Sequence, residues 1–190
     1  MTVLAAAITK QDGIVIAADS QFSWDYSKSD EGPSKLWIDK ERKFIFGGCG
    51  SVRAMQVVQH WTEWPEFREF HCDHVEQFVV KDVVPSMRTA LDEHGALETS
   101  KKIQTFDAGI IMAWDNTLIS IDEDFSVTIP VSGRWAMGSG SSEAFGSLGD
   151  TGPWTKADVI KAARVATKTA LGVGGDIYYV TTKSMEIRKA

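Results

Sequence analysis

The second residue of the chain is a threonine, and its position gives it a conditional chemical interest. If the initiator Met1 is removed, Thr2 carries a hydroxyl nucleophile together with its own α-amine, which acts as a nearby base. A residue as small as threonine permits that removal. On position alone, however, Thr2 is better interpreted as an ordinary residue of an N-terminal strand.

Other residues with suitable chemistry follow at defined spacings. Asp19 closes a long apolar run, Lys35 follows sixteen residues later, and Gly50 comes fifteen residues after that. Ser139 lies in a segment of alternating glycine and serine. Taken singly, each has an ordinary structural interpretation: a charge at a surface hairpin, a lysine in a solvated loop, a tight turn and a loop serine.

Taken together and in order, these segments resemble the proteasome β-subunit family of N-terminal-nucleophile hydrolases, which includes HslV. Residues 13–20 (GIVIAADS) resemble the family's second strand, which ends in a catalytic aspartate. Lys35 occupies the place of its catalytic lysine, with the family's spacing from Asp19. Gly50 matches the glycine whose backbone N–H forms the family's oxyanion hole. Residues 138–141 (GSGS) resemble its Gly-Ser-Gly segment, and residues 170–181 (ALGVGGDIYYVT) resemble the last helix-to-strand turn of the HslV branch. No single segment is specific, but five in register are.

The catalytic roles that the resemblance implies agree physically with one site. Asp19 and Lys35 form a buried ion pair, and Lys35 lies against the Thr2 hydroxyl and lowers the cost of its deprotonation. The α-amine of Thr2 passes the proton to the leaving amine. Gly50 has no side chain, so its backbone N–H approaches a tetrahedral oxyanion closely. Ser139 hydrogen-bonds the α-amine and holds its orientation.

The resemblance also implies two substrate-binding positions. Ser23 lies on the substrate-binding edge, and Gly48 lies on the floor of the first specificity pocket. Because glycine has no side chain, that floor predicts a roomy pocket.

The sequence departs from the family at two places near this site. The stretch from Thr2 to Asp19 is one residue longer than the family's spacing between nucleophile and aspartate. A longer first hairpin absorbs the difference if Thr2 is the nucleophile, whereas strands that align without a bulge before the hairpin place Met1 at the nucleophile's position and leave the site inactive. The last turn carries Ala170, Gly172 and Val173 where proteasome subunits place an aspartate and a serine that support the amine.

Hydrophobic periodicity predicts which elements position these residues. Apolar runs separated by turn residues such as Asp12-Gly13 predict hairpins. The order is strands, two helices, strands, two helices and strands, which favours an α+β fold, a four-layer α/β/β/α sandwich of two antiparallel sheets. The predicted strands cover residues 2–8, 14–20, 36–38, 43–46, 107–114, 117–121, 177–181 and 185–188, with a loop over 21–34 and helices over 52–64, 74–94 and 155–171. The strands over 107–114 and 117–121 form the third predicted hairpin. Thr155 and Asp158 resemble a capping box at the start of the last helix, and Pro85 is a weak point that predicts a kink or a split in the helix over 74–94.

Composition limits the classes of function. With 190 residues, 43% of them hydrophobic and 24% charged, the chain predicts one globular domain over residues 1–190. A net charge of -6 without a cluster of Lys and Arg argues against a nucleic-acid partner. Two cysteines, no signal peptide and no membrane-length apolar run predict a cytoplasmic protein. No segment indicates a cofactor or a metal site, and we interpret residues 71–74 (HCDH) as a polar loop between helices.

An aromatic cluster around Pro65 predicts a contact surface. Trp61, Trp64, Phe67 and Phe70 are more aromatic than a solvated helix end requires, so core packing and a subunit interface are both consistent with them. We expect the segment from Trp61 to Phe70 to contribute to a closed homo-oligomer.

The residues and the resemblance together favour a threonine-type peptidase subunit of a self-compartmentalising homo-oligomeric ring. Its substrate is then a peptide or an unfolded protein, and the resemblance adds an unfoldase ATPase as a possible partner. Two alternatives remain open: a scaffold or shell subunit that assembles without cleaving, and an amidohydrolase that acts on small amides.

Overall fold

The structure is a computed structural model that describes residues 1–24, 27–30, 32, 34–66, 74–100, 103–114 and 116–190. Its helices are α1 (Val52–Trp61), α2 (Val75–Phe78), α3 (Val84–Glu93), α4 (Ser141–Leu148) and α5 (Lys156–Thr169). Its strands are β1 (Leu4–Thr9), β2 (Gly13–Asp19), β3 (Phe22–Trp24), β4 (Ser27–Ser29), β5 (Leu36–Asp39), β6 (Phe44–Gly50), β7 (Glu98–Ser100), β8 (Ile103–Thr105), β9 (Ala108–Trp114), β10 (Thr117–Ile121), β11 (Val127–Thr128), β12 (Arg134–Met137), β13 (Ile177–Thr181) and β14 (Arg188–Lys189).

Ten of these strands form two antiparallel sheets. The first sheet has the order β12-β1-β2-β13-β14, and the second has the order β11-β10-β9-β6-β5. β1 and β2 pair without a bulge from Leu4 opposite Ala18 to Thr9 opposite Gly13, and three residues connect them. From Leu4 onward, therefore, no bulge takes up the additional residue of the first segment, which is the condition under which the sequence places Met1 rather than Thr2 at the nucleophile's position.

Alternation along β1 explains how the first sheet faces two different layers. Leu4 and Ala6 point between the two sheets, whereas Ala5 and Ala7 point toward the helices α4 and α5. Since alanine side chains are small, the alanine-rich face of α5 packs closely on this side of the sheet.

Three apolar layers hold the elements together. One lies between the sheets, one lies between the first sheet and the helices α4 and α5, and one lies between the second sheet and the helices α1, α2 and α3. The order of layers is helix, sheet, sheet, helix, which confirms the predicted α+β sandwich. Within the described part of the chain, no helix is both long enough and apolar enough to cross a membrane.

The helix predicted over 74–94 contains a local widening before Pro85. α2 continues through a π-helical turn, Val79–Val83, into α3, where Pro85 lies in the first turn. Proline has no backbone N–H and its ring crowds the preceding turn, so a wider turn before it lets the helix continue. The weak point therefore appears as a π-helical turn between α2 and α3, through which the helical path continues without a break.

Two other predictions hold and two need correction. Thr155 and Asp158 form the predicted capping box at the start of α5. The third hairpin has β9 and β10 as its strands, as predicted. The loop predicted over 21–34, however, contains the paired strands β3 and β4, and α1 ends at Trp61 rather than residue 64.

The aromatic cluster around Pro65 divides into buried and exposed members. Trp64 packs on the rings of Phe44 and Phe46, with centroids 4.9 and 5.5 Å away, so it extends the core. Trp61 is 57% exposed and contacts His94. Phe67 and Phe70 lie outside the described residues. Of the described tryptophans in this cluster, Trp61 is therefore the one that core packing leaves unexplained.

Candidate active site

Thr2 lies just before β1 and is held by the segment that follows β12. Its backbone N–H donates to Ser139 Oγ at 3.2 Å, and its carbonyl oxygen accepts from Gly140 N–H at 3.2 Å. A Cβ added at Gly138, whose φ is +89°, would overlap the Thr2 carbonyl. Glycine at position 138 therefore allows this segment to approach the N-terminus closely.

Asp19 ends β2 and is 1% exposed. Its Oδ1 accepts from Val3 N–H at 3.0 Å and from Lys35 Nζ at 2.8 Å, and its Oδ2 accepts from Gly174 N–H at 3.1 Å. Three donors thus compensate the desolvation of one buried carboxylate.

Lys35 precedes β5 and is 6% exposed. Its ammonium donates to Asp19 Oδ1 at 2.8 Å and to the Gln21 carbonyl at 2.7 Å, and it lies 5.0 Å from the ring centroid of Phe22. Burial lowers the pKa of the Lys35 ammonium below its ordinary value, and the charge of Asp19 opposes that shift. A lysine in this environment releases its proton more readily than a solvated one.

The sequence predicts that Lys35 also reaches the Thr2 hydroxyl, and the structure modifies this detail. Thr2 and Lys35 line the same small cavity, so the two side chains lie close together. The third oxygen near the Lys35 ammonium is the Met1 carbonyl at 3.5 Å, and Thr2 Oγ1 is not among the acceptors that this ammonium contacts. Met1 itself is mostly exposed, and its side chain rests against Gly172.

Gly50 lies at the end of β6 beside Thr2. Its φ is +97°, and a Cβ there would overlap the Asp107 carbonyl oxygen and lie 2.7 Å from Ala108 Cα. Only glycine fits this position without moving backbone atoms. The neighbouring Ser51 N–H already donates to the Asp107 carbonyl at 2.8 Å, and Ser51 also caps α1.

Gly48 borders the cavity as the sequence predicts, but the expectation of a roomy pocket is wrong. A Cβ added at Gly48 would overlap the end of the Met55 side chain, which reaches it from α1. The cavity that Thr2, Lys35 and Gly48 share has a volume of about 30 Å³. Met55 therefore fills the space that glycine leaves open.

Ser23 lies in β3, where it is half-buried. Its hydroxyl accepts from Gln21 Nε2 at 3.3 Å. Since the Gln21 carbonyl accepts from Lys35, Ser23 is linked through a single residue to the buried ion pair.

A second, larger cavity opens on the other side of Thr2 and Gly50. Its volume is about 600 Å³, and Ser139 lines it together with carboxylates. Among the described residues that line it there is no Lys or Arg. The acidic residues of its wall are Asp107, Asp122, Glu123 and Asp124.

Sequence reasoning missed Gln21, Gly174 and Met55. Gln21 and Gly174 supply backbone groups, which carry no residue-type signal, and they lie far apart in sequence. In the glycine-rich turn after α5, the sequence indicates only that the acidic and hydroxyl side chains of the family are absent. Met55 belongs to a segment that the sequence predicts as a helix, but the contact between Met55 and Gly48 depends on how that helix packs on the second sheet.

The described residues contain no group of three or more His, Cys, Asp and Glu side chains that could hold a metal ion. Residues 71–73 of the HCDH segment lie outside the described residues.

As a whole, the arrangement brings a threonine, a buried Lys–Asp pair, a serine and a positive-φ glycine to one edge between two cavities. The elements that meet there are the starts of β1 and β5, the ends of β2 and β6, and the turn between β12 and α4. An arrangement of this kind suits nucleophilic attack by a hydroxyl, with a nearby cation to stabilise its deprotonated form.

Comparison with known proteins identifies the fold. No family model matches the chain, and no curated protein matches it by sequence. Among solved structures, BPH of Thiobacillus denitrificans in complex with epoxomicin is 19% identical with a TM-score of 0.75, covering 95% of this chain and 97% of that one. HslV of Trypanosoma brucei is 17% identical with a TM-score of 0.62, covering 94% and 98%. The Anbu (Gly-1) mutant of Hyphomicrobium sp. strain MC1 is 15% identical with a TM-score of 0.70, covering 100% and 86%.

These identities are low, and the likeness is one of fold. The chain has the N-terminal-nucleophile hydrolase fold of proteasome-like proteins such as HslV. The resemblance predicted from the sequence is therefore confirmed at that level.

Proposed function

We propose that this chain, with the fold of the N-terminal-nucleophile hydrolases, is a threonine-type peptidase whose nucleophile is Thr2 after removal of Met1. The observation that carries this proposal is the placement of the Thr2 nitrogen on Ser139 Oγ beside the buried ion pair of Lys35 and Asp19. Burying a lysine and a carboxylate carries a desolvation penalty that the ion pair only partly offsets. Activation of the adjacent threonine hydroxyl is a function that explains why the pair lies there.

Removal of Met1 changes this site in two ways. The Thr2 amide becomes an α-amine that keeps its Ser139 partner, and the Met1 carbonyl, which lies 3.5 Å from Lys35, leaves. The Lys35 ammonium then has a free donor for the Thr2 hydroxyl. The α-amine, with an ordinary pKa of about 8, is suited to accept the hydroxyl proton.

The proposed reaction proceeds through a covalent intermediate. Thr2 Oγ1 attacks the scissile carbonyl carbon while its proton moves to the α-amine, and the Gly50 N–H stabilises the resulting oxyanion. Collapse of that tetrahedral species breaks the C–N bond, and the α-amine returns the proton to the leaving amine. Water then hydrolyses the Thr2 ester and regenerates the hydroxyl.

For the substrate we propose a peptide or an unfolded protein, which the open cavity of about 600 Å³ accommodates better than the small one. For the assembly we propose a closed homo-oligomer in which Trp61, at 57% exposure, contacts a neighbouring copy. Light scattering of the purified chain tests this assembly, and a monomer at micromolar concentration would contradict it.

A subunit that assembles without cleaving remains the second candidate, because one specific observation favours it. With Met1 attached, Thr2 has no free amine, and the Met1 carbonyl lies beside the Lys35 ammonium. Intact-mass analysis separates the two candidates, since a peptidase has lost the mass of methionine and a silent subunit retains it.

Turnover of a fluorogenic peptide then tests the nucleophile. Thr2→Ala is expected to abolish turnover because it removes the hydroxyl, whereas Thr2→Ser, which keeps one, retains part of it. Alanine and serine are both smaller than threonine, so we expect Met1 to be removed from Thr2→Ala and from Thr2→Ser. A difference in turnover between these variants then reflects catalysis and not the removal of Met1. Thr167→Ala, which changes a half-buried threonine on α5 that lines neither cavity, is the matched control and keeps full activity.

Epoxomicin provides an independent probe, since BPH was solved in complex with it. We expect epoxomicin to inhibit peptide turnover by the wild-type chain and to protect it from thermal unfolding. Thr2→Ala is expected to lose that protection. Equal protection of both proteins would count against Thr2 as the reactive group.

A further inference from the structure

The turn that follows α5 touches the buried ion pair through one residue. Gly174 N–H donates to Asp19 Oδ2 at 3.1 Å, and its carbonyl oxygen accepts from Gln21 N–H at 3.1 Å. Asp19 and Gln21 are the residues that supply the two short acceptors of the Lys35 ammonium, at 2.8 and 2.7 Å. The two polar groups of a single glycine backbone therefore hold both oxygen partners of the lysine.

The same glycine leaves room for the side chain of Gln21. A Cβ added at position 174 would overlap Gln21 Oε1 and would lie 3.2 Å from Gln21 Cδ. From Gln21 Cβ it would lie 3.9 Å, which is an ordinary contact. The φ of Gly174 is outside the left-handed region, so alanine strains the backbone no more than glycine there. The absent side chain thus matters because of Gln21 alone.

Gln21 is well placed to transmit a displacement. It is buried, and its Nε2 donates to Ser23 Oγ at 3.3 Å. Its side chain lies between Gly174 and Ser23, while its carbonyl binds Lys35. Burial and the bond to Ser23 restrict rotation of this side chain, so an amide pushed away from Gly174 would transmit part of the displacement to the backbone carbonyl that binds Lys35.

We propose that Gly174 and Gln21 are positioning residues that set the place of the Lys35 ammonium relative to Thr2. The turn after α5 has no acidic or hydroxyl side chain at Ala170, Gly172 or Val173 that could support the site. In this chain the backbone of Gly174, together with Gln21, provides that support instead. This inference rests on the proposed peptidase function. It adds to that function the requirement that position 174 remain without a side chain as long as position 21 carries a long one.

A double-mutant cycle tests the inference through kcat and KM. Gly174→Ala is expected to lower kcat about tenfold and to leave KM within about twofold, because it misplaces Lys35 without touching the substrate pocket. Gln21→Ala removes the overlap and keeps the backbone carbonyl but loses the bond to Ser23, so we expect its kcat to fall about threefold, which is less than the loss in Gly174→Ala. Gly174→Ala in the Gln21→Ala background is expected to change kcat no further.

Gly146→Ala is the matched control, since a Cβ there meets nothing within 4 Å. Unchanged kcat in Gly174→Ala would overturn the inference, as would an equal loss of kcat in both backgrounds. If Gly174→Ala does not fold, the circular dichroism of the double variant decides, because relief of the overlap predicts that the double variant folds.

A readout that needs no activity separates this inference from the proposed function. The titration of Lys35 can be followed by the NMR shift of its 13Cε in ¹³C-lysine-labelled protein. Burial lowers the pKa of Lys35, and its hydrogen-bond acceptors oppose that shift. Gly174→Ala weakens the contact with these acceptors, so we expect a still lower pKa of Lys35 in this variant and a return to the wild-type pKa in the double variant. A wild-type chain without peptide turnover would end the proposed function, whereas an unchanged Lys35 titration would end the positioning role.

Discussion

Two cavities meet at the edge formed by Thr2, Cys49 and Gly50, and they differ in size and charge. The smaller one, about 30 Å³, has mostly apolar walls from Phe22, Trp37 and Met55, with Lys35 as its charged residue. The larger one, about 600 Å³, has a wall of carboxylates. A chain that crosses this edge would meet a tight, mostly apolar environment with one cation on one side and an open, anionic environment on the other.

The difference shows which part of the site depends on packing and which depends on charge. Burial gives the small cavity its chemical character, since the Lys35–Asp19 pair is removed from water there. The large cavity is open to solvent, so its carboxylates act through a screened field. Changes to the small cavity are therefore expected to alter rates strongly, and changes to the large one to alter substrate preference weakly.

The largest effect is expected from removing the cation of the small cavity. Lys35→Met keeps most of the side-chain length but leaves Asp19 buried with only its two backbone donors. We expect kcat for a peptide to fall about 10²- to 10⁴-fold, as loss of a proton-transfer group usually does. Since an unpaired buried carboxylate remains, we also expect a loss of about 3–5 kcal/mol in the free energy of unfolding.

The double variant Lys35→Met/Asp19→Asn separates these two effects. Its neutral amide no longer requires a cation, so part of the lost stability in urea unfolding is expected to return while kcat stays low. Recovery of kcat together with stability would show that Lys35 supports only the fold.

Cys49 lies on the wall common to both cavities, so its reactivity tests how strongly burial controls the chemistry of side chains at this edge. Burial raises the pKa of the Cys49 thiol to about 11. At pH 8 its thiolate fraction, and hence its alkylation by iodoacetamide, is expected to be about 100-fold lower than in the urea-unfolded chain. Peptide-level mass spectrometry separates Cys49 from Cys72, and rates for Cys49 that match in folded and unfolded protein would refute the prediction.

The sequence could predict much of this fold because the decisive signals are local. The Asp12-Gly13 turn, the unbroken apolar run of β2 and the Thr155–Asp158 capping box each act within a few residues. β3 and β4 escaped prediction because strands of three residues offer no periodicity to detect.

The site could be predicted only where residue type carries the information. The identities of Thr2, Asp19 and Lys35 and their spacing suggest a common site, and the structure brings them together. Met55 could not be predicted as the filling of the pocket, because that depends on the docking of α1. The backbone groups of Gln21 and Gly174 have no sequence signal, since every residue carries an N–H and a C=O.

A smaller effect is expected from enlarging the small cavity. Met55→Ala removes the side chain that covers Gly48, so the ratio of kcat/KM between peptides with a large apolar side chain and those with alanine should rise about tenfold. A cost of about 2 kcal/mol in stability accompanies it. Met87→Ala is the control for stability. It removes a buried methionine from the layer between the second sheet and the helices α1, α2 and α3, and it leaves the ratio unchanged. If both variants change the ratio equally, Met55 does not define the pocket.

The smallest effect is expected in the large cavity. Burial, and to a smaller extent the nearby charge of Asp124, raises the pKa of the Asp122 carboxyl. The fold therefore tolerates the negative charge of Asp122 poorly, and Asp122→Asn removes that charge. One screened charge contributes up to about 1 kcal/mol. KM for a peptide with lysines on both sides of the scissile bond is therefore expected to rise about threefold, and KM for the same peptide with glutamates to fall. Asp92→Asn, on the exposed end of α3, should change neither. Because solvent screens the field, 0.5 M NaCl should abolish the difference, and a difference that persists in salt would mean that Asp122 contacts the substrate directly.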